Sequence, residues 1–207
     1  LNWIKSAGCK VMNLLCKGSF KHVTEQLRKT PEQHIADITE VVNKAQEMGI
    51  EVNVYLEDWS NGMLHSPEYV YQLMDGLKDL PIKRFMLPDT LGILNPRNTY
   101  FFCKEMLTRW PKLHFDFHAH NDYDLAVANV YSAIVAGVKG VHTTVNGLGE
   151  RAGNPPLSSV LAVIHDQLKL KTSLNEKKIN QVSKLVETYS GIHISTNKPI
   201  VGEHVFT

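Results

Sequence analysis

The sequence predicts an α/β chain that forms part of a (β/α)8 TIM barrel, with about the last five βα units present and the first three missing. Three observations predict it. A short apolar strand, a polar loop and an amphipathic helix recur five times, with strand starts roughly 27 to 41 residues apart, the spacing of βαβ units. Several strands carry one apolar and one polar face, whereas an open sheet covered by helices on both sides reads as nearly continuous apolar strands. Polar and titratable residues also gather at the C-terminal ends of successive strands, where barrels build their sites.

In order along the chain, residues 1–8 read as the end of a helix, and the first strand follows at Lys10 to Leu15. Thr30 and Pro31 open the next helix as N-cap and first helical residue, and Gln33 stands where a capping box requires it. Ile35, Ile38, Val42 and Ala45 form its apolar stripe and Gly49 closes it. The second strand is Glu51 to Leu56, the third Lys83 to Pro88, the fourth Leu113 to His118 and the fifth Gly140 to Val145. Ser66-Pro67 and Asn95-Pro96 open the helices between them, and another runs from about Leu125 to Gly137. A helix begins near Pro156, and a final amphipathic one carries Ile179, Val182, Leu185 and Val186. Residues 1–170 are assigned to the C-terminal part of the barrel, and 171–207 to a helix and the start of a linker toward a further C-terminal region. Five units do not close an eight-stranded barrel, so about three are expected to precede this segment.

Composition excludes several function classes. With 43% hydrophobic and 21% charged residues over 207 positions, the chain is globular. Its 22 basic and 21 acidic residues are interspersed, so no field is built for nucleic acid or an anionic membrane. No apolar run approaches the roughly 18 residues of a membrane span, and the first residues lack the layout of a secretory signal. A cytoplasmic location is the expectation. Cys9, Cys16 and Cys103 are too widely spaced for a CxxC site and read as small buried hydrophobes.

Residues two apart on a strand share a face. In the second strand Val52, Val54 and Leu56 point to the helices and Asn53, Tyr55 and Glu57 to the interior. In the fourth, Phe115 and Phe117 oppose Asp116, His118 and His120; in the fifth, Val141, Thr143 and Val145 oppose His142, Thr144 and Asn146. His118 and His120 thus lie on one face at a strand end, where their imidazoles can converge on a cation or simply bond to each other. Only carboxylate, amide and water oxygens lie nearby to complete a shell, which suits Mg, Mn or a catalytic Zn. The run from Asn146 to Asn154 follows the fifth strand, and Gly147, Gly149 and Ala152 satisfy G-x-G-x-x-G/A. That dinucleotide fingerprint is weak here, because Glu150 and Arg151 occupy positions where a pyrophosphate needs bare backbone. Glu57 and Asp89-Thr90 end the second and third strands at matching heights.

The runs LPDTLG, HAHND and NGLGERAGN, in this order on successive βα units, resemble the acetyl-CoA-condensing 2-keto-acid synthases. These include isopropylmalate, citramalate and homocitrate synthases, relatives of the 3-hydroxy-3-methylglutaryl-CoA lyases. The likeness runs from KVMNLL to NKPIVGEHVF, and GERAGN is the synthase form of a loop in which the lyases carry a cysteine. It implies a divalent metal ion held by His118, His120 and Asn154, Asn154 as oxygen ligand or close support. The family's remaining ligand is an aspartate in an Arg-Asp-Gly motif that this sequence does not contain, so residues 1–207 alone are expected to be inactive. Thr90 resembles the threonine that binds the keto-acid carboxylate, and Glu57 the acid/base near the reacting carbon. Leu15 and Tyr55 resemble the bulky residues that narrow the pocket in citramalate synthases; ordinary barrel packing is the alternative. The resemblance further implies acetyl-CoA as co-substrate, a small 2-keto acid, and a homodimer. Competing expectations are an acyl-CoA lyase or homocitrate-type synthase on the same scaffold, and a non-catalytic fragment.

Overall fold

A computed structural model describes residues 1–205, so Phe206 and Thr207, the end of the segment assigned to a linker, lie outside the described residues. Five strands form one parallel sheet: β1 (Val11–Lys17), β2 (Glu51–Glu57), β3 (Ile82–Asp89), β4 (Phe115–Ala119) and β5 (Gly140–Val141). They are hydrogen-bonded in the order β1-β2-β3-β4-β5. A doubly wound sheet must reverse its strand order once to place helices on both faces. Strands added in sequence order by crossovers of one hand keep their helices on one side, which is the wall of a (β/α) barrel. The expected partial barrel is what the chain forms.

The helix-facing sides of β2 and β4 carry Val52, Val54, Leu56, Phe115 and Phe117, all fully buried. Burying such a side chain contributes about 1.5–3 kcal/mol, so these five fix which face of the sheet the helices cover. The same core includes Ile38, Val42 and Ala45 of α2 and Leu73, Met74 and Leu77 of α4, the helices being numbered after α1 (Asn2–Ser6). α2 spans Pro31–Glu47 and α4 Pro67–Leu77; Cys103 and Met106 enter from α5 (Pro96–Arg109), and Val130 and Ala133 from α6 (Ala126–Ala136). α2 begins as its sequence requires: Thr30 Oγ1 accepts from Gln33 N at 3.2 Å and Gln33 Oε1 accepts from Thr30 N at 3.0 Å.

Several boundaries differ from expectation for physical reasons. β1 runs on to Lys17 because Cys16 and Lys17 still pair with Leu56 and Glu57 of β2. β5 is only two residues long instead of reaching Val145. Beyond His142 the backbone turns toward the segment that follows: Thr144 N donates to Pro155 O, Leu157 N donates to Thr144 O, and Asn146 takes a positive φ of 60°. α7 (Leu157–Ala162) and α8 (Ile179–Ser190) are present, but Val182 and Leu185 of the last helix are exposed, so its apolar stripe is not a core face within this chain.

α3 (Trp59–His65) has no counterpart among the expected helices. Its N-cap Asp58 sits in the left-handed region, at φ 65°, and makes no capping bond, so the usual start signal is missing. Gly62, in its middle, reads as a breaker in the sequence. The structure explains that glycine: a Cβ there would lie 2.1 Å from Gly18 O and 2.8 Å from Val70 Cγ2. Gly62→Ala is expected to destabilise the protein by about 1–3 kcal/mol through overpacking. A lower urea midpoint at unchanged m-value is the measurement that checks it.

Candidate active-site rim

The ends of β1 to β4 and the loops after β3, β4 and β5 meet along one edge of the sheet. At the end of β4, His118 Nε2 and His120 Nε2 face each other at 3.3 Å, with the ring planes at 76°. The other nitrogen of His118, Nδ1, lies 3.2 Å from His142 Nδ1 on the neighbouring strand continuation. The Nδ1 of His120 is buried without a hydrogen-bond partner among the described residues. Asn154 reaches the same place from the glycine-rich loop: its Nδ2 donates to Ala119 O, in the stretch joining the two histidines, at 2.8 Å. Gly149 makes room for it, since a Cβ there would stand 2.0 Å from Asn154 Oδ1. The loop therefore folds around a side chain of its own, with Asn154 N also bonded to Gly147 O; after a single 3-10 turn at Val145–Gly147, the next α-helix begins only at Leu157. That is not the strand-to-helix turn that a dinucleotide pyrophosphate requires.

On the next strands, Thr90 Oγ1 accepts from Asp58 N at 2.8 Å, which leaves the hydroxyl hydrogen free to donate elsewhere. Asp89 is wholly buried and serves the loop rather than the rim: its two oxygens accept from Ile93 N and Leu94 N, both at 3.0 Å. Burial pushes its carboxyl above the usual value, against those two backbone bonds and a Ser60 contact. Glu57 pairs with Lys17 Nζ at 2.5 Å. Leu15 and Tyr55 are register partners on β1 and β2, as their parity requires, but Leu15 is 62% exposed. Tyr55 turns its ring edge-on to His118, centroids 6.0 Å apart, and its hydroxyl lies 3.4 Å from His142 Nδ1.

Arg151 joins three loops. Its Nε and Nη2 donate to the two oxygens of Asp122 at 2.8 and 3.0 Å, and Nη2 also donates to Thr90 O at 2.7 Å. The bidentate fork is the geometry for which arginine is suited and lysine is not. Sequence reasoning missed this role, and it missed Lys17, whose position beyond the expected end of the first strand took it out of the parity argument. His142 was placed on the interior face by parity, but no motif singled it out.

Among the described residues, no cluster of three or more His, Cys, Asp or Glu side chains gathers to hold a metal ion. The two facing imidazoles nevertheless are in the state a ligand needs. Burial, then the neighbouring His142 and His120, pulls the His118 pKa from its ordinary 6.5 to about 4. Burial also lowers that of His120, with Arg151 adding to the effect. For Asp116 burial is the largest influence and acts upward, but the nearby His142 ring, the bond and charge of His114 and the Arg84 guanidinium together outweigh it and hold the carboxyl at about 2. A proton taken up by the unfolded chain but refused by the folded one destabilises the fold. For metal-free protein, stability is therefore expected to fall as pH drops from about 6.5 to about 4, where His118 is protonated only when unfolded. The Asp116 contribution, present above pH 3.8, is lost only as pH falls toward 2. Thermal melts across this range check the first window, and His118→Gln should flatten its slope.

Fold and rim together define part of a (β/α) barrel whose strand ends gather the candidate site residues. The chain belongs to the HMGL-like family, whose model matches residues 3–186. It is 37% identical over 186 residues to a probable 2-isopropylmalate synthase of Ignicoccus hospitalis, covering 90% of this chain and 46% of that protein. It is 35% identical over 185 residues to a homocitrate synthase of Sulfolobus acidocaldarius, covering 89% and 39%. To a putative (R)-citramalate synthase of Methanopyrus kandleri it is 32% identical over 202 residues, covering 97% and 39%. The chain thus spans less than half the length of these curated relatives. Among solved structures, an HMG-CoA lyase of Bacillus subtilis superposes with a TM-score of 0.75 at 21% identity, over 90% of this chain and 65% of that one, which shows the shared fold. The resemblance to the synthases and their lyase relatives is borne out at the level of the family. Among the described residues no helix is long and apolar enough to cross a membrane.

Proposed function

We propose that the full-length protein condenses acetyl-CoA with a small 2-keto acid, pyruvate or 2-ketoisovalerate, as a cytoplasmic homodimer in branched-chain amino-acid biosynthesis. The observation that carries this reading is the pair of imidazole nitrogens facing each other 3.3 Å apart at a barrel strand end, in a chain whose relatives are named synthases. His118 and His120 are held neutral and converge, and Asn154 is fixed against the carbonyl between them. This mixed nitrogen and oxygen set fits one divalent ion, Mg, Mn or Zn, with open positions. Residues 1–207 do not supply the family's Arg-Asp-Gly aspartate. When bound, the ion would supply Lewis-acid polarisation of the keto carbonyl.

The chain's own residues account for binding and proton transfer. Thr90, its acceptor side engaged by Asp58 N, donates its hydrogen to the keto-acid carboxylate. Glu57, oriented by the Lys17 ammonium, removes a proton from the acetyl-CoA methyl, and the carbanion formed attacks the keto carbon. The new alkoxide takes a proton, and thioester hydrolysis releases CoA. Leu15 and Tyr55 stand side by side on the interior face and limit the keto-acid side chain, which favours pyruvate over its branched homologue. The test is thiol release by the full-length protein with acetyl-CoA and a panel of pyruvate, 2-ketoisovalerate and 2-oxoglutarate. Release with pyruvate or 2-ketoisovalerate is expected. Release with 2-oxoglutarate alone, or cleavage of a 3-hydroxy-acyl-CoA with no condensation, would overturn the reading.

A further inference from the structure

We infer that His142, backed by Asp116, is a positioning residue that fixes the tautomer of His118 and so presents His118 Nε2 unprotonated to a divalent cation. The inference rests on the reading of His118 and His120 as metal ligands. Phe117 and Val141 are register partners, which places His118 and His142 next to each other across β4 and the continuation of β5. Their Nδ1 atoms are 3.2 Å apart, a distance at which one proton is shared between two ring nitrogens and the other ring must accept. Which ring holds it is decided behind His142.

There, Asp116 Oδ2 lies 3.7 Å from His142 Nε2, too long for a hydrogen bond but close enough for the carboxylate to choose between tautomers. Asp116 is 1% exposed and is held in place by His114 Nε2 at 2.7 Å and Arg84 Nη1 at 3.2 Å. A lone pair on His142 Nε2 would point at that anion, whereas an N–H would point its positive end there. The proton of His142 therefore belongs on Nε2, which leaves Nδ1 as an acceptor. His118 must then donate from its own Nδ1, and its Nε2 is left with a lone pair directed at His120. The Tyr55 hydroxyl, 3.4 Å from the same His142 Nδ1, can donate or accept there and is compatible with either tautomer. His120 has no such support, since its Nδ1 has no partner among the described residues. The fixed member of the pair is His118, and carboxylate, imidazole and imidazole form one orienting line.

The test is metal affinity, measured on the full-length protein with Co(II) in competition with a chromophoric chelator. His142→Ala is expected to weaken Co(II) binding about 10- to 100-fold, the usual cost of removing a partner behind a ligand. His142→Gln, whose amide oxygen can still accept from His118 Nδ1, should restore most of the affinity. His118→Ala should lose it. Imidazole nitrogen shifts in the unaltered metal-free protein provide a readout that does not depend on how variants fold, and should show hydrogen on Nδ1 of His118. Wild-type affinity in His142→Ala while His118→Ala loses binding, or a proton on His118 Nε2, would overturn the inference and leave the metal site standing. Unchanged affinity in His118→Ala would remove the metal site itself, and this inference with it.

Discussion

His118→Ala in the full-length protein is expected to lower kcat/KM for condensation by about three orders of magnitude or more. Two losses combine. Lewis-acid stabilisation of a developing alkoxide amounts to several kcal/mol, and each 1.4 kcal/mol is a factor of ten in rate. The side chain is also the best fixed of the proposed ligands, with His142 on one nitrogen and His120 on the other. Its removal leaves His120, whose Nδ1 is buried and unpartnered, to hold the ion with Asn154 alone from this chain. Added metal should recover little, because a missing donor is not replaced by a higher concentration of ion within a useful range. Steady-state thiol release with and without excess Mn(II) measures this; activity within tenfold of wild type would remove His118 from the metal site.

The second large effect is expected at Glu57. Glu57→Gln keeps the shape and a hydrogen-bonding oxygen but abolishes the base, so kcat should fall by about 10²- to 10⁴-fold, the usual contribution of a positioned acid or base. KM for the keto acid should change little, since carboxylate binding is assigned to Thr90 on the adjacent strand end. Lys17 would lose the anion it faces at 2.5 Å. Exchange of the acetyl-CoA methyl hydrogens with deuterated solvent isolates the step: it should be lost with Glu57→Gln and persist in a Thr90 variant. Persistence of exchange in Glu57→Gln would move the base to another residue.

How much of this was legible in the sequence differs from element to element. α2 could be read almost to the residue because its start is local chemistry, a threonine and a glutamine that satisfy each other's backbone partners. The faces of β2 and β4 were legible because alternation needs only the sequence. α3 was not, since Asp58 enters it from a left-handed conformation, and Gly62 is demanded by a carbonyl forty-odd positions away in the chain rather than by anything nearby. The short β5 was also hidden: what ends it is bonding between Thr144 and the backbone of Pro155 and Leu157. At the rim, the motif residues were legible as types, whereas their partners were not. Lys17, Arg151 and His142 act through distances between strands, and nothing in the spacing along one strand encodes those.

The guanidinium of Arg151 ties the turn after β3 to the turn after β4 from a third loop, through Asp122 and the carbonyl of Thr90. Loops bound in this way share a single rigidity. A small guest arriving at the rim meets walls already set, so it is sorted by whether it fits and not by how well the walls can wrap it. On the proposed function, a methyl group more or less on that guest is then felt as a clash or a gap, and discrimination between closely similar keto acids becomes a property of the frame.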